Sequence, residues 1–360
     1  MQQYLDEPES LVEFLEQRRN GTALAMDTEF MRVRTFYPRL ALIQIGFNGH
    51  IGLLDPIALP RPESFLALLT DPSVDKVLHS ASEDLEALRC GFGVLPDPLL
   101  DTQIAAGLAG YGFSLSYAAL VHSLLDCHVD KGETRSDWLQ RPLSDAQIHY
   151  AAEDVRHLPE VARILCDRLT DLGRMDWLRE DCARMVALAR EPGCDPQPHH
   201  AFRNLHRSPE IVQKRLRRIL LWREREARER DCPRMWLLDN PTAQDLASKP
   251  PADLRALSQR MRPLWRSPKA AWPALWDALG DDSLDGDWEP APPPLDDDQR
   301  ALLKRLQEAV RSLAEAMAIP EPLLASKRHL EALASSPGWP EALQGWRQKA
   351  LEPALGPLLG

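Results

Sequence analysis

The chain has 360 residues, 44% of them hydrophobic, and a formal net charge of −11; the length predicts two or three domains with packed cores, and the acidic balance excludes a protein that coats nucleic acid along its whole surface, though not a local basic face. Its six cysteines contain no Cys-x-x-Cys spacing, so neither a zinc site nor a disulfide framework is expected, and free thiols fit a reducing cytoplasm. The opening Met1-Gln2-Gln3-Tyr4-Leu5-Asp6 has no basic patch ahead of an apolar core, and no run of about 18 apolar residues occurs, so neither a signal peptide nor a membrane span is expected.

Leu11, Phe14 and Leu15 recur at helical spacing between Glu9 and Arg18, with Ser10 as the predicted cap and Gly21 as the stop. Thr22 to Met26 reads as a buried strand that runs into Asp27-Thr28-Glu29-Phe30. After Pro38, Leu40 to Phe47 is a second strand, Asn48-Gly49 a hairpin turn and His50 to Asp55 a third strand, a predicted antiparallel meander. A helix over Ser64 to Leu69 precedes a short strand over Asp75 to His79. Ser80-Ala81-Ser82-Glu83 has the capping-box pattern and opens a helix burying Leu85, Leu88 and Phe92, with Asp84 in its first turns. Leu99 to Ala106 leads into another helix, and residues 107–141 read as mixed helix and loop. Ser144-Asp145-Ala146-Gln147 is a second capping box, opening a helix through Ile148, Tyr150, Asp154 and Val155 that ends or kinks near Pro159. Strands interleaved with helices predict a mixed α/β domain over residues 1–190.

Three prolines and a glycine between Glu191 and His200 mark a linker, taken as residues 191–202. Residues 203–285 read as all helix. The proline triplet within Gly286 to Asp298 predicts an extended, semi-rigid spacer over 286–298, and residues 299–360 form another helical unit.

Asp27 and Glu29 stand two positions apart on a strand, so both carboxylates leave one face. Such a pair repels itself unless a cation lies between; a solvated acidic strand end is the plainer alternative. Tyr150 and Asp154, four apart, share one helical face. His79 reads as a packed histidine and Asp101 as a structural cap or a group supporting the ligands from behind, and both are left out of the site.

Three segments resemble the three motifs of the DEDDy 3′→5′ exonucleases: Asp27-Thr28-Glu29-Phe30, His79-Ser80-Ala81-Ser82-Glu83-Asp84-Leu85-Glu86 and Tyr150-Ala151-Ala152-Glu153-Asp154-Val155. Asp27 to Arg32 with Tyr37-Pro38 and Ile43-Gln44, together with Ser136-Asp137-Trp138-Leu139-Gln140-Arg141-Pro142-Leu143, look like bacterial ribonuclease D. Leu220 to Asp231 resembles a helicase-and-ribonuclease-D C-terminal (HRDC) domain, and Glu321-Pro322-Leu323-Leu324-Ala325-Ser326-Lys327-Arg328 resembles the more divergent second one of that family. The resemblance spans nearly the whole chain and is specific as a set. It implies an α/β exonuclease domain of ribonuclease H-like fold with a mixed sheet, followed by two all-α HRDC-type domains. It also implies two divalent ions held by Asp27, Glu29, Asp84 and Asp154, with Tyr150 positioning the attacking water. Oxygen ligands suit Mg²⁺ or Mn²⁺, and phosphodiester hydrolysis needs both an activated nucleophile and relief of charge on the leaving oxygen. Tyr150 is expected to orient water rather than to act as a strong base, because a tyrosine ordinarily titrates near about 10.

By the same resemblance the expected activity is 3′→5′ trimming of RNA, precursor tRNA 3′ ends included, releasing 5′-mononucleotides; the free thiols and the linkers fit a monomer in the cytoplasm. Arg203, Arg207, Lys214, Arg215, Arg217 and Arg218 concentrate in one helical stretch and are the expected RNA contacts. Arg223 to Arg230 interleave with Glu224, Glu226 and Glu229 and read instead as a self-paired face. Phe30, beside the acidic pair, is placed either to stack on a terminal base or to pack in the core. Two rivals stand beside this reading: a DNA 3′→5′ exonuclease using the same carboxylates, and an inactive RNA-binding scaffold.

Overall fold

The apolar run Leu40-Ala41-Leu42-Ile43 and its continuation to Phe47 is buried almost throughout, as a strand covered on both faces must be. In the computed structural model, which describes residues 2–129, 132, 133 and 136–360, this segment is the centre of a six-stranded sheet. The stretch read as mixed helix and loop therefore lies partly outside the described residues. The strands are β1 (Gln2–Leu5), β2 (Leu24–Met31), β3 (Arg39–Phe47), β4 (His50–Leu54), β5 (Lys76–Leu78) and β6 (Leu99–Asp101), in the order β1-β4-β3-β2-β5-β6. The β2-β3-β4 meander is antiparallel as expected, whereas β1, β5 and β6 each pair in parallel with their neighbours. Strands β1 and β6 were not expected. Each is too short to show a period of two, and each is a strand because a distant partner offers it a ladder.

Around the sheet lie α1 (Pro8–Glu16), α2 (Glu63–Leu69), α3 (Ser82–Phe92), α4 (Thr102–Leu108), α5 (Tyr117–Leu125), α6 (Asp145–Arg156), α7 (Leu158–Asp171) and α8 (Met175–Arg190). Two of the predicted starts differ. Helix α1 opens with Pro8 in its first turn and no side-chain cap; the Ser10 hydroxyl donates to the Glu7 carbonyl instead. Helix α3 begins at Ser82 without a side-chain cap, and the Ala81 amide donates across to Asp101 Oδ2 at 2.8 Å. Asp101 also caps α4, its Oδ1 accepting from the Gln103 and Ile104 amides, the structural role expected of it. The capping box at Ser144 forms as read: its hydroxyl accepts from the Gln147 amide, and Gln147 Oε1 accepts from the Ser144 amide.

The chain divides into two compact units. The first takes residues up to Met31, Arg39–Glu191 and Leu295 onward. Here α14 (Asp297–Met317), α15 (Glu321–Leu324), α16 (Lys327–Ser335) and α17 (Trp346–Leu359) share one core with the sheet and α1–α8, once α9–α13 have been placed in the second unit. The Trp346 ring stacks on Trp177 at 4.5 Å, its indole N–H donates to Asp181 Oδ1 at 3.0 Å, and Arg347 Nη2 reaches Asp181 Oδ2 at 2.8 Å.

The second unit takes Arg32–Pro38 and Pro192–Pro294. Its helices are α9 (Glu210–Glu229), α10 (Arg234–Leu237), α11 (Asn240–Ser248), α12 (Leu254–Met261) and α13 (Trp272–Gly280), closed over Leu216, Trp222, Leu246, Leu257 and Leu275. Phe36 joins this core, its ring between the Arg228 and Arg234 guanidiniums and its amide donating to Asp231 Oδ1 at 3.0 Å.

Candidate metal centre

In the antiparallel ladder Asp27 lies opposite Gln44 and Glu29 opposite Leu42, so all four side chains share one face of the sheet. Helix α6 covers that face. Its Ala151, Ala152 and Val155 pack with Leu42, Leu53 and Trp138. Gly46 lets the helix come close: a Cβ there would stand 3.2 Å from the Val155 carbonyl oxygen. A register shift between Glu29 and Phe30 bends β2 just past the acidic pair, where bulges commonly re-aim side chains.

This packing brings Asp27, Glu29 and Asp154 together, each offering a carboxylate oxygen within 4.8 Å of the others'. Asp84, in the first turn of α3, is buried beside Thr28, whose hydroxyl donates to its Oδ1. Tyr150 stands one helical turn before Asp154, near enough for its hydroxyl to act on that carboxylate, and lies 6.0 Å, ring to ring, from Trp138. Asp27, Glu29 and Asp154 thus gather on one face of β2 with Tyr150 on the covering helix, whereas Asp84 is held by Thr28, whose side chain leaves the other face, and reaches the cluster through its charge on Asp27 and Glu29.

The electrostatics are those of negative charge confined out of water. Burial, then Asp154 and Asp84, pushes the Glu29 carboxyl up to about 9. Burial raises Asp84 to about 7, against the Thr28 hydrogen bond, and raises Asp154 to about 7 against the opposing pull of the Tyr150 hydroxyl. Asp27 is raised well above the ordinary carboxylate range by burial and by the three acids around it. Burial, then Asp154, also raises the Tyr150 phenol, so the hydroxyl stays protonated. A cluster of hard oxygen donors that cannot all ionise unaided fits a divalent cation.

The remaining expectations divide. His79 is a structural histidine, its Nδ1 on the Thr102 hydroxyl and its Nε2 on the Leu115 carbonyl. Phe30 is half-buried and packs on the main core. Arg217 and Arg218, expected as RNA contacts, are buried instead. Arg217 donates to the Pro196 carbonyl at 2.7 Å and to the Leu284 carbonyl, and Arg218 forms a fork on Asp285, its Nε 2.8 Å from Oδ1. Both belong to the inner face of α9, which a run of arginines in the sequence does not distinguish from the outer one. Lys214 pairs with Glu210 and lies over the Trp288 ring. Arg203, Arg207 and Arg215 have no ion-pair partner among the described residues. The self-paired reading of the later arginines holds for Arg228 with Glu224 and Arg230 with Glu226.

Sequence reasoning missed three supporting groups. Thr28 steadies Asp84 and could have been noticed inside the acidic motif itself. Tyr117 accepts from the His157 amide at 3.1 Å and holds α5 to the end of α6. Asp55 anchors the Trp138 loop: Arg141 Nε reaches its Oδ2 at 2.6 Å and Arg141 Nη2 its Oδ1 at 2.8 Å, and Tyr4 donates to it at 2.7 Å.

A profile described as 3'-5' exonuclease matches residues 2–170. A ribonuclease D of Xanthomonas oryzae pv. oryzae is 42% identical over 359 residues, covering 100% of this chain and 99% of that one. The chain belongs to the ribonuclease D family. A second ribonuclease D, from Pseudomonas paraeruginosa, is 38% identical and covers 98% of this chain and 96% of its own. The crystal structure of Escherichia coli RNase D, described as an exoribonuclease involved in structured RNA processing, superposes with a TM-score of 0.84 at 30% identity, covering 100% of this chain and 98% of that one. The chain is thus an exoribonuclease with an exonuclease-like mixed sheet and a mostly helical C-terminal part. Among the described residues no helix is long and apolar enough to cross a membrane.

Proposed function

We propose that this exoribonuclease trims RNA from the 3′ end, precursor tRNA trailers included, and releases 5′-mononucleotides at the site formed by Asp27, Glu29, Asp84, Asp154 and Tyr150. The observation that carries the reading is the convergence of Asp27, Glu29 and Asp154 within 4.8 Å, with buried Asp84 held by Thr28 of the same strand and Tyr150 one helical turn from Asp154. Two divalent ions, Mg²⁺ or Mn²⁺, held by the four carboxylates would activate the attacking water and neutralise the developing 3′ oxyanion. The chain's own residues supply the rest. Asp27 and Glu29 are fixed by the ladder to β3, and Asp84 by Thr28, so the donor set is rigid before any ion binds. Tyr150, its proton retained, orients the water from the α6 side. Phe30, at the end of the acidic motif, is offered as the stacking contact for the terminal base. Among the basic residues, Arg203, Arg207 and Arg215 remain for the RNA backbone. Residues 203–285 and 299–360 are read as HRDC-type domains that hold structured RNA while its unpaired 3′ end is cut. The chain is read as a monomer in the cytoplasm, a reducing compartment that its six free cysteines fit.

The test is a time course on a 5′-labelled, 3′-extended tRNA with Mg²⁺, with Mn²⁺ and with EDTA, beside Asp154→Asn and beside a DNA strand of matched sequence. A ladder shortening from the 3′ end of the RNA, lost in EDTA and in the variant, is expected. Binding without shortening under both metals, or equal trimming by Asp154→Asn, would refute the proposed site.

A further inference from the structure

Between Asp253 and Asp277 the chain has no acidic residue but holds Arg255, Arg260, Arg262, Arg266 and Lys269, in a protein of net charge −11. Only Arg260 of these is ion-paired among the described residues, with Asp245; the other four are exposed. In the middle of this segment stands Trp265, 80% exposed, the most exposed of the large hydrophobic side chains noted on the surface. Its indole is not adrift. The Arg266 guanidinium lies 4.7 Å from the centre of the Trp265 ring and 4.8 Å from that of Trp236 on α10.

The turn that presents Trp265 is built. The Leu264 amide donates to the Met261 carbonyl at 3.0 Å and the Ser267 amide to the Leu264 carbonyl at 2.8 Å. Buried Ser267 in turn accepts from the Trp272 indole N–H at 3.0 Å, tying the turn to the core of the second unit. A fixed indole with an open face, backed by a cation and flanked by Arg262 and Lys269, is the arrangement that holds an unpaired nucleotide: the ring stacks on a base, and the cations meet the phosphates on either side. An acid-free cationic surround suits a polyanion and offers a protein surface little beyond one ring.

We propose that Trp265, Arg266 and Trp236 form a base-stacking platform for single-stranded RNA, separate from the acidic site. The proposal rests on the reading of the chain as an RNA-trimming enzyme and adds a place for an unpaired stretch of the substrate. The platform grips bases without reading their identity, since every base has a face to stack.

The test uses the full-length chain in EDTA, where no cleavage confuses binding, with fluorescent oligoadenylate and a ribose-phosphate strand of equal length lacking bases as probes. Trp265→Ala is expected to weaken oligoadenylate binding about tenfold and to leave the salt dependence unchanged. Trp265→Phe is expected to retain most of the affinity, and binding of the base-free strand is expected to be the same for all three proteins. Arg262→Gln gives the contrasting result, a loss on both probes with a shallower salt slope. Oligoadenylate binding by Trp265→Ala within twofold of the parent, or an equal loss on the base-free strand, would overturn the proposal. If Trp265→Ala folds poorly by circular dichroism, Trp265→Phe against Trp265→Leu makes the same comparison of ring with no ring. Because binding is read without metal, failure of the parent to shorten RNA in Mg²⁺ would refute the trimming reading through a different measurement.

Discussion

The crowded carboxylates make the metal-free protein a test of its own electrostatics. Asp84 is 6% exposed and raised from 3.8 to about 7. A group whose folded value lies above its unfolded one contributes full stability below the unfolded value and loses it as pH rises through the folded one. Here that window runs from about pH 4 to about pH 7, and the rise of about three units at about 1.36 kcal/mol each sets a ceiling of about 4 kcal/mol. Between about pH 5.5 and pH 8.5 only the upper part of the window is crossed, so Asp84 alone accounts for a loss of about 2 kcal/mol. Glu29, raised to about 9, extends the fall to higher pH. Urea unfolding in EDTA at the two pH values measures it. The parent is expected to lose stability, and Asp84→Asn, which keeps an acceptor for the Thr28 hydroxyl, is expected to lose about 2 kcal/mol less. Mg²⁺ should restore the parent most strongly at the higher pH, where no proton has to be displaced. Parallel pH curves for parent and Asp84→Asn, within about 0.5 kcal/mol, would refute the idea that burial and mutual repulsion strain this cluster.

Tyr150→Phe removes the hydroxyl near Asp154 but keeps the ring beside Trp138; kcat is expected to fall about a hundredfold with metal affinity within a few-fold of the parent, by single-turnover kinetics and calorimetry. Gly46→Val forces α6 away from the sheet; a loss of about 1–3 kcal/mol in urea and a large drop in activity are expected, whereas unchanged activity would mean that the Val155 contact does not set the position of Asp154. Asp55→Ala strands the Arg141 guanidinium and the Tyr4 hydroxyl; a loss of about 3–5 kcal/mol is expected, measured by urea unfolding, and a change below about 1 kcal/mol would show the pair to be dispensable.

The acidic cluster was legible in the residues because it depends on local spacing. Asp27 and Glu29 share a face through the two-residue period of a strand, and Tyr150 and Asp154 share one through the turn of a helix. The Ser144 capping box and the β2-β3-β4 meander are local in the same sense. Motif order then tied Asp84 to the rest. The parallel pairings escaped because β1 meets β4 some fifty residues away, and three or four residues cannot announce a partner that distant.

The cations show the same division on the surface. Ten basic residues in one stretch declare an affinity for phosphate, but seven of them lie on α9, a helix with an inner and an outer face. Asp285 draws Arg218 inward, the Pro196 carbonyl takes Arg217, and Glu224 and Glu226 occupy Arg228 and Arg230. Which charges stay free depends on partners brought from elsewhere in the chain, and an exposed indole at Trp265 with a guanidinium between it and Trp236 exists only once α10 and the turn after α12 are packed together. The acidic site could be read from one dimension because helix and strand periods act on neighbours; its binding surface could not, because burial and ion pairing are set by segments far apart along the chain.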